Sequence, residues 1–203
     1  VVIDPAQLTA EAAYRLLTGV VVPRPIAWVT TVSPAGVVNL APFSAFTFVS
    51  PKPPMLAISI GHKAGTYKDT ARNILATEDF VVHIADRGQL DALHQSAVEY
   101  PSDVSEVEEL GLAVCASDLV APPRLAAAPI AMECRLRHCL EFGETRSRLF
   151  VGEVRRFHMR DGLVRDGKVD TTELDPIARI AGPTYATLGP LITKKRIQQT
   201  PKV

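Results

Sequence analysis

The chain has 203 residues, 47% of them hydrophobic, with 22 basic and 22 acidic residues that give a formal net charge of zero. Such a length buries about two-thirds of the unfolded chain's surface, so one domain spanning 1–203 is the simplest reading. The charge balance argues against a binder of nucleic acid or anionic membrane, and the apolar runs fall short of the ~20 residues of a membrane span.

Thr9 to Leu17 reads as a short helix, with Thr9 as cap, Glu11 in the first turn and Gly19 as its stop. Val20 to Pro25 is a loop or an edge, since two prolines cannot serve a central ladder. Ile26 to Val32, a turn at Ser33-Pro34-Ala35-Gly36 and Val37 to Leu40 form a hairpin that sets Asn39 beside Thr30 and Thr31. Small and hydroxyl residues (Ala41, Ser44, Ala45, Thr47) then alternate with Phe43, Phe46 and Phe48, a run suited to backbone lying against a flat ring. Met55 to Ile60 and Phe80 to Ala85 are strands by their β-branched and aromatic content.

Between those two strands, Thr66 followed by Asp69 predicts a capped helix start, with Tyr67, Ala71, Ile74 and Leu75 on one apolar face. The free N–H groups of such a first turn favour an anion, Lys63 and Lys68 flank the spot, and Gly61 and Gly65 allow close approach of the backbone. An ordinary capped helix carries the same signature. The spacing is not that of a P-loop.

Gly88 to Glu99 is an outer helix, and Tyr100 to Pro129 is a long, polar, weakly patterned excursion, either a lid near the site or a cover for a partner subunit. Ile130 to Leu140 and Arg148 to Met159 form a long hairpin. In its first arm Ile130, Met132, Cys134, Leu136, His138 and Leu140 share the core face, and Glu133, Arg135 and Arg137 the wet one. Asp161-Gly162 and Asp166-Gly167 punctuate a shorter hairpin. Cys115, Cys134 and Cys139 show no disulfide or zinc pattern, the histidines have no metal-ligand spacing, and neither a nucleophile elbow nor a dinucleotide fingerprint occurs. Frequent turns, many strands and few helices favour a mostly β fold, an antiparallel barrel with a few covering helices. The N-terminus lacks a basic-then-apolar signal pattern, so a cytoplasmic protein is expected.

Five stretches, in order, resemble the flavin reductase-like family with an FMN-binding split barrel, whose members include flavoredoxins, flavin reductases and flavoprotein oxygenases. They are Pro23-Arg24-Pro25-Ile26-Ala27-Trp28-Val29-Thr30-Thr31, Asn39-Leu40-Ala41-Pro42-Phe43-Ser44, Pro53-Pro54-Met55-Leu56, Lys68-Asp69-Thr70 with Asn73-Ile74, and Arg179-Ile180-Ala181-Gly182 with Tyr185. Ala181 departs from the family, which has a second glycine there.

The resemblance implies an antiparallel split barrel that binds FMN, or FAD in its place, and accepts hydride from NAD(P)H. It also implies a homodimer and a partner, either an oxygenase supplied with reduced flavin or a redox protein. A carrier without enzymatic activity and an oxidase or oxygenase with its own small organic substrate are the alternatives. Asn39, Lys63, Lys68 and Thr70 belong with the phosphate or ribityl chain, and Asp69 with the helix cap. Ala41, Ser44, Ala45 and Phe46 belong with the ring, as does one of Thr30 and Thr31, which alternate on a strand. Arg24 and Arg179 suit the phosphate or the nicotinamide cofactor's phosphates, Tyr185 lies near the ring, and His158 reaches the flavin or substrate unless it is structural. No side chain need act as acid or base, because the cofactor carries the hard step.

Overall fold

The computed structural model describes residues 1–63 and 65–197, without the side chain of Lys63. Thr9 caps the first helix, α1 (Ala10–Val20), by accepting the Ala12 N–H at 3.2 Å. Gly19 does not end it; a glycine within a helix costs only about 1 kcal/mol, and the Val21 N–H still reaches the Leu17 carbonyl. After β1 (Arg24–Pro25), β2 (Ala27–Val32) and β3 (Val38–Phe43) form the expected hairpin, with Asn39 opposite Thr31. The phenylalanine-rich run belongs partly to β3 and partly to β4 (Phe46–Pro51), which pairs with β5 (Pro54–Ile60). Its alternation is that of a strand.

A small flap of β6 (His62–Lys63) and β7 (Thr66–Tyr67) leads into α2 (Asp69–Thr77) and β8 (Asp79–Ile84). The expected outer helix is a 3-10 turn, Arg87–Gln89, followed by α3 (Leu90–Gln95). The excursion holds α4 (Glu106–Glu109) and a two-stranded ladder of β9 (Val114–Cys115) and β10 (Arg124–Leu125). Then come the long arms β11 (Ile130–Phe142) and β12 (Ser147–Met159). β13 (Val164–Arg165) and β14 (Lys168–Val169) are joined by Asp166-Gly167, both at positive φ (49° and 70°) as a tight hairpin turn requires. α5 (Thr171–Leu174), β15 (Ala178–Arg179) and β16 (Tyr185–Ala186) follow, with β15 pairing back onto β1.

Seven strands make one antiparallel sheet in the order β3-β2-β8-β11-β12-β5-β4. Its two edge strands, β3 and β4, are consecutive in the chain and only Ser44-Ala45 separates them, so the sheet curls until its edges meet at that corner. This is the mostly β, antiparallel split barrel expected. Alternate residues of β2 serve two cores: Ala27 and Val29 pack with Ile58, Phe80 and Phe150, while Trp28 packs with Leu40, Leu93 and Leu125.

The expected faces of β11 hold only at its start. Register shifts between Glu133 and Cys134 and between Leu136 and His138 change which residues point inward, so Leu136 and Cys139 pack on the core while His138 and Leu140 are exposed. Glu133, expected on the wet face, is fully buried.

Candidate functional site

The first turn of α2 brings together the second and fourth matching stretches. Asn39 Nδ2 donates to Thr70 Oγ1 at 2.9 Å, and one turn on, Asn73 Nδ2 donates to Thr31 Oγ1 at 3.0 Å. All four side chains are buried, and they dock the helix on β2 and β3 beside the apolar contacts of Ala71 and Ile74. The helix begins later than the sequence suggests. Thr66 belongs to the β6–β7 flap, and Lys68 is the cap residue, whose side chain makes no cap hydrogen bond. Asp69 does not complete a cap, because Arg72 at i+3 binds its carboxylate.

An exposed lysine at an uncapped helix start offers an ammonium and several backbone donors to one anion, with the nearby carboxylate already paired. That donor set fits the phosphate of FMN. Lys68 Nζ lies 5.8 Å from the centre of the Phe43 ring. The side chain of Lys63 lies outside the described residues.

The β3–β4 corner is held from below. Arg24 is buried, donating from Nη1 to the carbonyls of Thr18 and Val21 (2.6 Å each), from Nη2 to that of Ile180 (2.8 Å), and from Nε to Ser44 Oγ (3.3 Å). It is therefore neither in a surface salt bridge nor a fork open to a phosphate. Ala45 is exposed, and its carbonyl accepts the Ser59 N–H; Ala41 and Phe46 are half-buried against the core. Arg179, opposite Arg24 in the β1–β15 ladder, stacks on Tyr185 at 4.5 Å and donates to its hydroxyl, which lies 2.9 Å from His94 Nδ1. The turn through Ala181 closes without the family's second glycine, Thr184 N–H reaching the Ala181 carbonyl at 2.9 Å.

Four buried polar side chains of the sheet and of α4 tie down the excursion. Thr30 Oγ1 donates to the Pro123 carbonyl at 2.6 Å, and the Leu125 N–H donates to His83 Nε2 at 3.0 Å. The Leu40 N–H donates to Glu106 Oε2 at 2.8 Å, and the N–H groups of Asp118 and Leu119 donate to the two oxygens of Glu133. His158 does not open to a ligand; its Nε2 lies 2.6 Å from Glu133 Oε1. Burial works against the Glu133 carboxylate, but these donors outweigh it and hold its pKa below the ordinary value. Asp118, Glu133 and His158 lie within 4.8 Å of one another, yet Arg156 on Asp118 and Arg124 at 3.9 Å from Glu133 supply the positive charge. The group is a latch for the excursion.

Glu106, Asn73 and His83 carry roles that spacing alone does not assign. Asn73, an indifferent helix former, and His83, a polar residue within an apolar strand, carry a readable signal, and Glu106 does not. Between the outward side of α2, the β2–β3 turn and residues 101–106 lies a cleft of about 470 Å³. Residues 101–106 of the excursion thus form one wall of this cleft.

These elements define a flavin reductase-like protein. The chain belongs to that family: the flavin reductase like domain matches residues 19–173. It is 41% identical over 192 residues, 92% of each chain, to the protein BH2278 of Halalkalibacterium halodurans. Nitrilotriacetate monooxygenase component B from Bacillus cereus superposes with a TM-score of 0.92 at 38% identity, over 96% of this chain and 98% of that one. The 2-nitrobenzoate 2-nitroreductase of Pseudomonas fluorescens superposes at 0.88 and 30% identity, over 100% and 99%.

Proposed function

We propose that the chain is an FMN-binding oxidoreductase that takes a hydride from NAD(P)H and delivers reduced flavin, or its electrons, to a partner oxygenase. The observation that carries this is the uncapped start of α2, with exposed Lys68 above the buried Asn39–Thr70 pair, in a chain so similar to a monooxygenase component B. Bound FMN supplies the hydride-accepting ring. Lys68 and the first-turn N–H groups of α2 hold the phosphate, and Asn39 and Thr70 set the position of that turn. Ser44, Ala45 and Phe46 present polar backbone and hydroxyl groups to the ring edge, with Ala41 leaving room beside it. Arg24 fixes the corner through Ser44, and Arg179 with Tyr185 closes the side beyond β1. Thr31 acts through Asn73, whereas Thr30 and His158 serve the excursion.

A homodimer belongs to the same reading. No residue of α1 is buried, yet Tyr14, Leu17 and Val20 are 67%, 61% and 72% exposed on one side of it, a surface suited to a second copy. The likeness to a nitroreductase favours a second reading, reduction of a small organic substrate on the same flavin.

The test is the visible spectrum of the purified protein, loaded with FMN and titrated with NADH without oxygen. Rapid bleaching supports the reductase. Failure to bind FMN ends the proposal, and binding without bleaching leaves a carrier or a substrate-specific enzyme.

A further inference from the structure

The cleft beside α2 differs in charge from the helix start and is lined by neither Lys68 nor Thr70. At about 470 Å³ it lies within the usual size range of small-molecule sites. Asp69 and Arg72, on the helix, engage each other and cancel. The carboxyl groups of Asp103 and Glu106, on the facing wall, have no cationic partner among the described residues, so the cleft keeps an excess of negative charge. Glu106 is over nine-tenths buried, with Oε2 accepting the Leu40 N–H; burial raises its pKa against that bond, and the charge of Asp69 adds to the rise. Asn39 and Asn73 are only 8% and 5% exposed, and each directs its Nδ2 to a threonine hydroxyl. Their amide oxygens make no hydrogen bond among the described residues, yet neither oxygen is sealed in the interior, and both residues line the cleft. The open groups are therefore acceptors without donors, a costly state that a ligand's N–H groups relieve. Pro34, Val37 and Val104 supply apolar surface beside them.

We infer that the cleft is a second ligand site, for a small organic ammonium compound whose N–H groups meet Asp103, Glu106 and the two asparagine oxygens while its hydrocarbon part lies on the proline and the valines. The same charge that attracts the ammonium repels phosphates and carboxylates. The site is separate from the anion-binding start of α2, and the inference stands apart from the flavin reading.

The probe is benzylammonium, titrated into the purified protein and followed by NMR at the backbone amides of residues 69–76 and 101–106. Benzyl alcohol and benzoate, of similar shape, are its neutral and anionic counterparts. Ala76 lines the cleft from an exposed helical position, so Ala76→Lys and Ala76→Glu add side chains of similar bulk and opposite charge without burdening the helix. The ammonium should bind about tenfold or more tightly than either counterpart, and Ala76→Lys should weaken it about tenfold while Ala76→Glu does not. Equal binding of benzyl alcohol or benzoate, equal loss in the two variants, or an absence of shifts in both segments overturns the inference. Each of these results reads the same whether or not the protein binds FMN.

Discussion

His83 sits wholly buried on β8, with Nδ1 2.9 Å from the Trp28 carbonyl and Nε2 3.0 Å from the Leu125 nitrogen. Because the Leu125 N–H needs an acceptor, the proton of the neutral ring belongs on Nδ1, which donates to Trp28. A second proton on Nε2 would face the Leu125 N–H. Burial lowers the pKa from 6.5 to about 4, with the Trp28 hydrogen bond opposing and the charge of Arg124 assisting. A folded value below the unfolded one means that the contribution is complete above pH 6.5 and is lost as the pH falls through 4. The gap is worth about 3 kcal/mol, a large share of the stability of a typical domain. Urea unfolding between pH 7.5 and 4, compared with His83→Gln, isolates this contribution. Glutamine keeps a donor for Trp28 and an acceptor for Leu125 but does not titrate, and carboxylates contribute equally to both proteins. The parent protein should lose about 3 kcal/mol more than the variant over this range. Parallel curves would refute the assignment of the neutral ring as the pin of β10.

Lys68→Ala should weaken FMN binding by about 1.5–3 kcal/mol, roughly tenfold to over a hundredfold, read by quenching of flavin fluorescence; unchanged affinity places the phosphate elsewhere. Gly152→Ala should destabilise the fold by about 1–3 kcal/mol in urea, because an added Cβ would meet Phe80 Cζ at 2.3 Å inside a filled core; an unaltered midpoint would mean that the ring yields. Leu17→Glu puts a charge on the uncovered side of α1 and should turn a dimer into a monomer by light scattering, whereas an unchanged mass moves the interface off this helix.

Much of the sheet was readable because its signals are local. β-branched and aromatic content gave β5 and β8, the Ser33-Pro34-Ala35-Gly36 turn gave the hairpin of β2 and β3, the period of two gave the start of β11, and Asp166-Gly167 gave its turn outright. What failed was phase. Two register shifts in β11 turn His138 and Leu140 outward, and no residue type announces a bulge of this kind. The helix start at 66–69 was misplaced for a similar reason: Thr66 and Asp69 have the spacing of a capping box, but a two-residue ladder claims one and Arg72 the other.

The excursion was opaque for a more general reason. Apolar periodicity reports burial against a core, and of residues 100–129 only Val107 and Leu125 are buried apolar members of one. Much of the rest is fastened through backbone groups that have no side-chain identity: the Pro123 carbonyl accepts from Thr30, and the N–H groups of Leu125, Asp118 and Leu119 donate to His83 and Glu133. Such anchors leave no pattern in the segment they hold. Their signal lies on the other partner, as polar residues buried where the period of two calls for apolar ones. Thr30 and His83 stand out in this way within β2 and β8, and Glu133 does so in β11 once its burial is known. A wall fastened this way can be reshaped without disturbing the barrel, because its sequence is constrained at few positions. That freedom suits a segment that lines a cleft, whose contacts can change while the barrel behind it stays fixed.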